Sequence, residues 1–192
     1  MEDQPLIRPT GDYKKLICYQ KAETIFDITY YFVQTYLRRG DRTIDQMQQA
    51  ARSGKQNISE GYSRAGTSAD TAIRLIDVAK SSLIELYDDY SDYLRTRGYR
   101  QWEENSKEWQ TMRDLGRKYN HSAYYMELIV SRPPETIANM ALILLKQTDY
   151  LLAKMLESLS KHFLQSGGFR ERMTNMRLNH RKNRWKISPQ NL

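Results

Sequence analysis

Apolar residues recur every three or four positions along most of this chain, which is the spacing of one buried face of an α-helix. The first such stripe predicts helix one over about 13–38, and Gly40 ends it. Asp41 or Thr43 can cap helix two, because either side chain accepts a hydrogen bond from a free backbone N–H at a helix start. We expect helix two to end at Gly61.

The same periodicity continues through the second half of the chain. Ser68 predicts the start of helix three by the same capping argument, and Gly98 closes that helix. A more polar helix is predicted over 101–119 and a short one around 123–130. After two prolines, which suit the first turn of a helix, a long apolar stripe predicts helix four over 135–164.

No run of residues alternates between apolar and polar as a strand does, so the sequence predicts an all-α protein. Four long helices joined by short breaks favour an antiparallel four-helix bundle. We expect a polar lead over 1–12, the bundle over 13–166 and a basic tail over 167–192. An inserted helical segment at 99–132 separates helices three and four.

Helix four has a wider apolar face than one neighbouring helix requires. Five large residues broaden its main stripe: Met140, Leu142, Ile143, Tyr150 and Leu156. Its ~30 residues also extend roughly 45 Å, which is longer than a small bundle needs. We therefore expect this helix to contact other subunits as well as the core, which predicts a homo-oligomer.

Helix two is unusually small and polar. Small residues occupy one stretch of it: Ala50, Ala51, Ser53 and Gly54. A glycine inside a helix costs about 1 kcal/mol relative to alanine, so Gly54 indicates that a neighbouring backbone packs closely here, with a loose or kinked helix as the alternative. Asn57 and Glu60 follow at the crowded end, and any buried polar group there needs a partner. We expect that partner near the start of helix three, around Thr67 and Ser68.

Two segments of the chain resemble a known family. Asn57-Ile58-Ser59-Glu60-Gly61, preceded by Ala50-Ala51-Arg52-Ser53, resembles the helix-two signature of the four-helix-bundle proteins encoded in intervening sequences of 23S ribosomal RNA genes. Ala79-Lys80-Ser81-Ser82-Leu83-Ile84-Glu85-Leu86 resembles the helix-three segment of the same family. The motif residues singled out are Gly54, Asn57, Ile58, Glu60, Gly61, Ser81, Ser82, Leu83 and Glu85.

The stretch from Ser131 through Glu135 and on to Met173 resembles the C-terminal extension of a suffix-domain branch of that family. The resemblance implies an antiparallel four-helix bundle that often assembles into a homopentamer. It also implies kinship with the accessory variability proteins of diversity-generating retroelements, which bind nucleic acid and a reverse transcriptase. This chain departs from the family at Gly54-Lys55, where the parent family tends to have isoleucine and proline.

Charge is concentrated at the C-terminal end. Residues 167–192 hold seven bases against the single acid Glu171, so most of the formal charge of +7 lies there. The bases and one aromatic residue are Arg170, Arg172, Arg177, Arg181, Lys182, Arg184, Trp185 and Lys186. Arginine pairs with phosphate and indole stacks on bases, so this tail and a second patch at Arg52 and Lys55 are candidate contacts for RNA or DNA. A merely solubilising tail is the alternative.

The sequence does not present a catalytic constellation. It has no glycine-rich phosphate loop, no His-Glu-x-x-His and no Glu-x-x-His pair, and its three histidines lie in unrelated contexts. The acids around 85–92 are interpreted as a solvated helix face. We therefore expect no enzymatic activity, no cofactor and no metal, and a cytoplasmic protein without a membrane segment. A protein-interaction scaffold with no nucleic-acid role remains the alternative to nucleic-acid binding.

Overall fold

The structure, a computed structural model, describes residues 11–187, and over that range every regular element is helical. Residues 1–10 of the predicted polar lead lie outside the described part. A short 3-10 helix, Tyr13–Lys15, precedes the α-helices. These are α1 (Ile17–Tyr36), α2 (Arg42–Arg64), α3 (Ala69–Thr96), α4 (Lys107–Lys118), α5 (Ser122–Ile129), α6 (Pro134–Ser166) and α7 (Phe169–Ile187). The all-α prediction is confirmed.

Two helices, α2 and α3, begin at the side-chain caps that the sequence predicts. Asp41 accepts a hydrogen bond from the Thr43 amide at 2.9 Å, and Ser68 caps α3 in the same way. The predicted end of helix two is wrong, because α2 continues for one more turn beyond Gly61. Gly61 is buried against α3 rather than left-handed, so this glycine makes room for a neighbour and does not terminate the helix.

The predicted start of the helix at 101 is also wrong, since α4 begins at Lys107. Residues just before it are held in an irregular conformation by Asn139 of α6, whose side chain is 1% exposed. Asn139 accepts from the Trp102 amide at 2.7 Å and donates to the Arg100 carbonyl at 2.9 Å. A tertiary contact therefore takes the backbone groups that a helix would use.

Four long helices pack in a closed order in which α1 contacts α2, α2 contacts α3, α3 contacts α6 and α6 contacts α1. Their shared interior holds fully buried aromatic and aliphatic side chains. Phe32 of α1 packs on Tyr90 and Tyr93 of α3, with ring centroids 5.1 and 4.7 Å apart. The Tyr90 hydroxyl donates to Thr29 Oγ1 at 3.1 Å, which satisfies the polar end of the ring inside the core.

The α2–α3 pair is the most extensive helix interface, as the small residues of α2 predict. A Cβ added to Gly54 would lie 2.5 Å from Leu83 Cδ2, and one added to Gly61 would lie 3.2 Å from the Ala72 carbonyl oxygen. Both helices therefore approach as closely as glycine permits. Close packing at Gly54 is confirmed, but the group that meets it is the Leu83 side chain, and the close backbone contact is made at Gly61.

The inserted segment at 99–132 covers much of the wide apolar face of α6, which is the predicted helix four. Gln147 of α6 donates to the Arg113 carbonyl at 2.8 Å, and Tyr125 of α5 donates to the Tyr119 carbonyl at 2.8 Å. Beneath this segment, Met140, Leu142 and Ile143 are each 3% exposed. Their burial within one chain removes part of the reason for expecting a partner on this helix, whereas Tyr150 remains 62% exposed.

Candidate nucleic-acid interface

Most of the predicted basic tail is a helix, α7, which follows a two-glycine break. Gly167 has a φ of 67°, a conformation that only glycine adopts readily, and it ends α6. The Gly168 amide then donates to Glu171 Oε2 at 2.9 Å at the start of α7. The one acid of the tail is therefore engaged at the helix N-terminus, where a carboxylate is stabilised by the free N–H groups.

Bases on α7 are presented to solvent. Arg170, Arg177 and Arg181 lie within about 40° of one another around the helix axis, because residues seven and eleven apart return to the same face. All three are exposed. Lys182 is exposed on the flank of this face, and Arg172 lies on the opposite face and is partly buried. We call Arg170, Arg177 and Arg181 the α7 basic face.

The remaining predicted tail residues, Arg184, Trp185 and Lys186, belong to the last turn of α7. Their side chains fall outside the described part of the structure, so the predicted stacking role of Trp185 is not tested. Among the side chains of α7 that are described, none is buried. The helix is thus held by few tertiary contacts and exposes most of its circumference.

Arg52 and Lys55 of α2 differ from each other in their surroundings. Arg52 is exposed, whereas the Lys55 ammonium lies 4.2 Å from the centroid of the Phe26 ring of α1. That cation–π contact binds Lys55 to the helix scaffold, although the charge stays available at the surface. No extended helix interface among the described residues joins α2 to α7, so the structure does not merge the two predicted basic patches.

Most motif residues of α2 and α3 lie in the interface between these helices, and Ser53, Ser82 and Glu85 also line a solvent-open cavity beside it. Ser53 and Ser82 hydroxyl groups lie 2.9 Å apart, and Asn57 donates to the Ser53 carbonyl at 2.9 Å. Asn57 therefore finds its partner on its own helix and not near Ser68, contrary to the prediction. Ile58, Gly61 and Leu83 are buried beside this group, and Glu60, Ser81 and Glu85 are exposed.

A feature that sequence analysis missed is the buried Lys21 of α1. It is 4% exposed, and its ammonium donates to the Gly116 carbonyl and, at 2.9 Å, to Gln147 Oε1. Burial lowers the pKa of Lys21 to about 8 because the charged form loses its hydration. The signal was present in the sequence, since Lys21 occupies the same helical face as Ile25 and Ile28.

The acidic stretch of α3 does not converge on a point. Asp92 pairs with Arg95 at 2.8 Å, and burial together with the neighbouring acids raises the pKa of Asp89. Over the described residues, no group of three or more His, Cys, Asp or Glu side chains is arranged to hold a metal ion. In the same part of the chain, no helix combines the length and apolarity needed to cross a bilayer.

The all-α chain thus combines a closely packed α2–α3 pair, an exposed basic helix and a buried lysine beneath α4. Comparison with known proteins adds no relative to this description: no protein-family model, curated protein or solved structure matches the chain.

Proposed function

We propose that this protein is a non-enzymatic, oligomeric four-helix-bundle protein that binds nucleic acid electrostatically as an accessory factor. The closed packing order of α1, α2, α3 and α6 supports the bundle. The observation that carries the function is α7, an exposed helix with Arg170, Arg177 and Arg181 on one face and its one acid engaged in capping. RNA and DNA share the phosphate chemistry that this face suits.

The mechanism is phosphate contact with release of counterions. Each arginine of the α7 basic face can donate two parallel hydrogen bonds to a phosphate, and each contact frees condensed cations from the nucleic acid. The resemblance to the intervening-sequence family favours a homopentamer. Five copies of a weak site on one particle act at high effective concentration, so modest single contacts give useful affinity.

The test is binding of fluorescently labelled RNA and DNA, followed by anisotropy over a series of salt concentrations. We expect affinity to fall steeply with salt, because the contacts are ionic. The double variant Arg177→Gln/Arg181→Gln should reduce the slope of log K against log salt by about 1 for each lost phosphate contact. The variant Arg52→Gln measures how much the basic patch on α2 contributes to nucleic-acid affinity.

A matched control removes the same amount of positive charge from α3, outside the α7 basic face. Arg74 and Arg95 are exposed on α3 and already pair with Asp70 and Asp92. The variant Arg74→Gln/Arg95→Gln should leave affinity and salt slope close to those of the parent protein. Binding that ignores salt, or an equal loss in both double variants, would remove the basis of the proposal.

A protein-interaction scaffold is the second candidate, and exposed apolar residues near the end of α6 and in the middle of α7 favour it. Leu164 is 82% exposed, and Leu178 of α7 is 47% exposed. Its partner could be a second protein such as the reverse transcriptase that the family resemblance implies. Deletion of 167–192 distinguishes the candidates, since a scaffold docking through α6 keeps its partner whereas the first proposal requires loss of most polyanion affinity.

Oligomeric state is tested separately by light scattering of the purified protein. We expect a mass several times that of the 22.7 kDa chain, and five times if the family assembly is retained. A monomer at all accessible concentrations would contradict the oligomeric part of the proposal. It would leave the charge-based part standing, because a single α7 still presents the basic face.

A further inference from the structure

A cavity of about 460 Å³ lies between α1, α4 and α6, away from the α7 basic face. This volume is within the range of small-molecule binding sites, roughly 300–1,000 Å³. Ile17 and Tyr150 line it and are 49% and 62% exposed, so they form an apolar rim open to solvent. Trp109, Ile143 and Leu151 add further apolar surface.

The polar side chains of the cavity are strongly biased towards positive charge. Lys21, Arg113, Arg117 and Lys146 line it, and no aspartate or glutamate is among the described lining residues. Lys146 is neutralised from outside by Glu104 at 2.9 Å. The other three bases have no carboxylate at that distance among the described residues. Asp114, at 3.8 Å from both arginines, is the nearest carboxylate that this part of the chain offers them, so the cavity carries an excess of positive charge.

Arg113 and Arg117 share one weak counterion. The Arg113 Nε and Arg117 Nη1 atoms each lie 3.8 Å from Asp114 Oδ1, which is beyond hydrogen-bonding distance. No carboxylate among the described residues lies closer to the Arg113 guanidinium, whose side chain is 39% exposed, so an anionic head group in the cavity would supply a nearer counterion.

Lys21 lies at the inner side of the cavity, and its partners among the described residues are two neutral oxygens. Its ammonium has three N–H donors, of which the Gly116 carbonyl and Gln147 Oε1 accept two. One donor is left for a ligand. Because the pKa of Lys21 is about 8, the side chain is mainly charged at neutral pH, and no carboxylate of the described part of the chain pairs with it.

We propose that the α1–α4–α6 cavity binds a small organic anion, with its carboxylate or phosphate head at Lys21 and Arg113 and its aromatic or aliphatic body against the apolar rim of Ile17 and Tyr150. The head group neutralises charge that the fold buries, and the body covers apolar surface that the fold leaves exposed. This site is independent of nucleic-acid binding by α7, so either can fail without the other.

The test uses two probes that share one ring system. Anilinonaphthalene sulfonate is an aromatic anion whose fluorescence rises when it leaves water, and N-phenylnaphthylamine is the same framework without the sulfonate. We expect the full-length protein to bind the anion more tightly than the neutral probe. Lys21→Met should weaken binding of the anion by roughly tenfold or more and leave the neutral probe unaffected.

Exposed variants make the test independent of any folding defect in Lys21→Met. Ile17 is the first residue of α1, where a carboxylate suits the helix N-terminus, so Ile17→Glu should be tolerated. It should weaken binding of the anion relative to Ile17→Gln, because only the former adds negative charge at the rim. Lys154→Met removes an exposed lysine of α6 outside the cavity and should leave binding unchanged.

Four outcomes would overturn the proposal. The first is that Lys21→Met and Ile17→Glu both bind the anionic probe as tightly as the parent protein does, which would show that the cavity is not a cationic binding site. An equal loss in Arg177→Gln/Arg181→Gln would assign the probe to α7. Probe binding that disappears as protein concentration rises would assign the cavity to a second copy of the chain. Displacement of the probe by naphthoate or by naphthyl phosphate supports the site and identifies the preferred head group, and displacement by neither counts against it.

Discussion

The substitution Gly54→Ala tests the close packing of α2 on α3, because two opposing effects of known size meet at this residue. Replacing glycine by alanine inside a helix normally gains about 1 kcal/mol. Here the new methyl group would lie 2.5 Å from Leu83 Cδ2 and 2.7 Å from Leu83 Cγ, and Leu83 is 2% exposed. Overpacking of this kind costs about 1–3 kcal/mol, so we expect a net loss of about 1 kcal/mol.

In a double-mutant cycle with Leu83→Ala, we expect the effect of Gly54→Ala on the free energy of unfolding to change sign. Leu83→Ala alone should cost about 2–5 kcal/mol, since it opens a cavity in the core. In that background the obstacle is gone, and Gly54→Ala should stabilise the protein by about 1 kcal/mol through helix propensity. The coupling between the two positions is then about 2 kcal/mol, within the range expected for residues in direct contact.

The assay is urea unfolding followed by far-ultraviolet circular dichroism, with all variants at one protein concentration because an oligomer's stability depends on it. Gln56 is exposed on the same helix, and the pair Gln56→Gly and Gln56→Ala calibrates helix propensity there without any packing change. If Gly54→Ala stabilises the parent protein, or has the same effect in both backgrounds, the glycine does not set the α2–α3 distance and the reasoning is refuted.

Three further predictions concern polar side chains. Asn139→Leu should lower the free energy of unfolding by about 1–3 kcal/mol and speed hydrogen exchange at the Trp102 amide, because two partly buried backbone hydrogen bonds are lost. Lys21 has a folded-state pKa of about 8 against an ordinary 10.5, so the unfolded chain binds more protons between these values and stability should rise with pH. The free energy of unfolding should rise by up to about 3 kcal/mol relative to Lys21→Met. It is measured below pH 10, because buried tyrosines with raised pKa values, such as Tyr90, lower stability above that pH. The pKa of Glu157 should be near 2 by NMR, because two exposed lysines, chiefly Lys161, favour the charged carboxylate, and it should rise towards 4.5 in high salt. The stability that this carboxylate adds is present above pH 4.5 and is lost as the pH falls towards 2.

Local signals in the sequence were sufficient for most helix boundaries. Asp41 and Ser68 cap α2 and α3 as predicted, because a capping side chain acts on backbone groups two or three residues away. The errors at Gly61 and at residue 101 share one cause. Gly61 makes room for Ile76 of α3 instead of ending α2, and Asn139 holds the backbone near residue 101, so in each case the partner is distant in sequence and no local pattern reports on it.

The candidate sites divide in the same way. The basic composition of the tail was legible from the sequence, but only the structure places Arg170, Arg177 and Arg181 on one exposed helical face. The wide apolar face of α6 was also legible. The sequence did not show what packs on that face. It suggested another subunit, whereas α4 of the same chain buries Leu142 and Ile143.

Periodicity and capping determined by themselves that this chain is helical, where most of its helices begin, and that α2 is slim enough for close approach, because these properties depend on residues within a few turns of each other. Only the tertiary structure decided that Lys21 is buried beside Gln147 and that a cationic cavity lies beneath α4. Those features arise where segments about one hundred residues apart in the chain meet, and the free energy of a buried charge depends on that meeting and on nothing local.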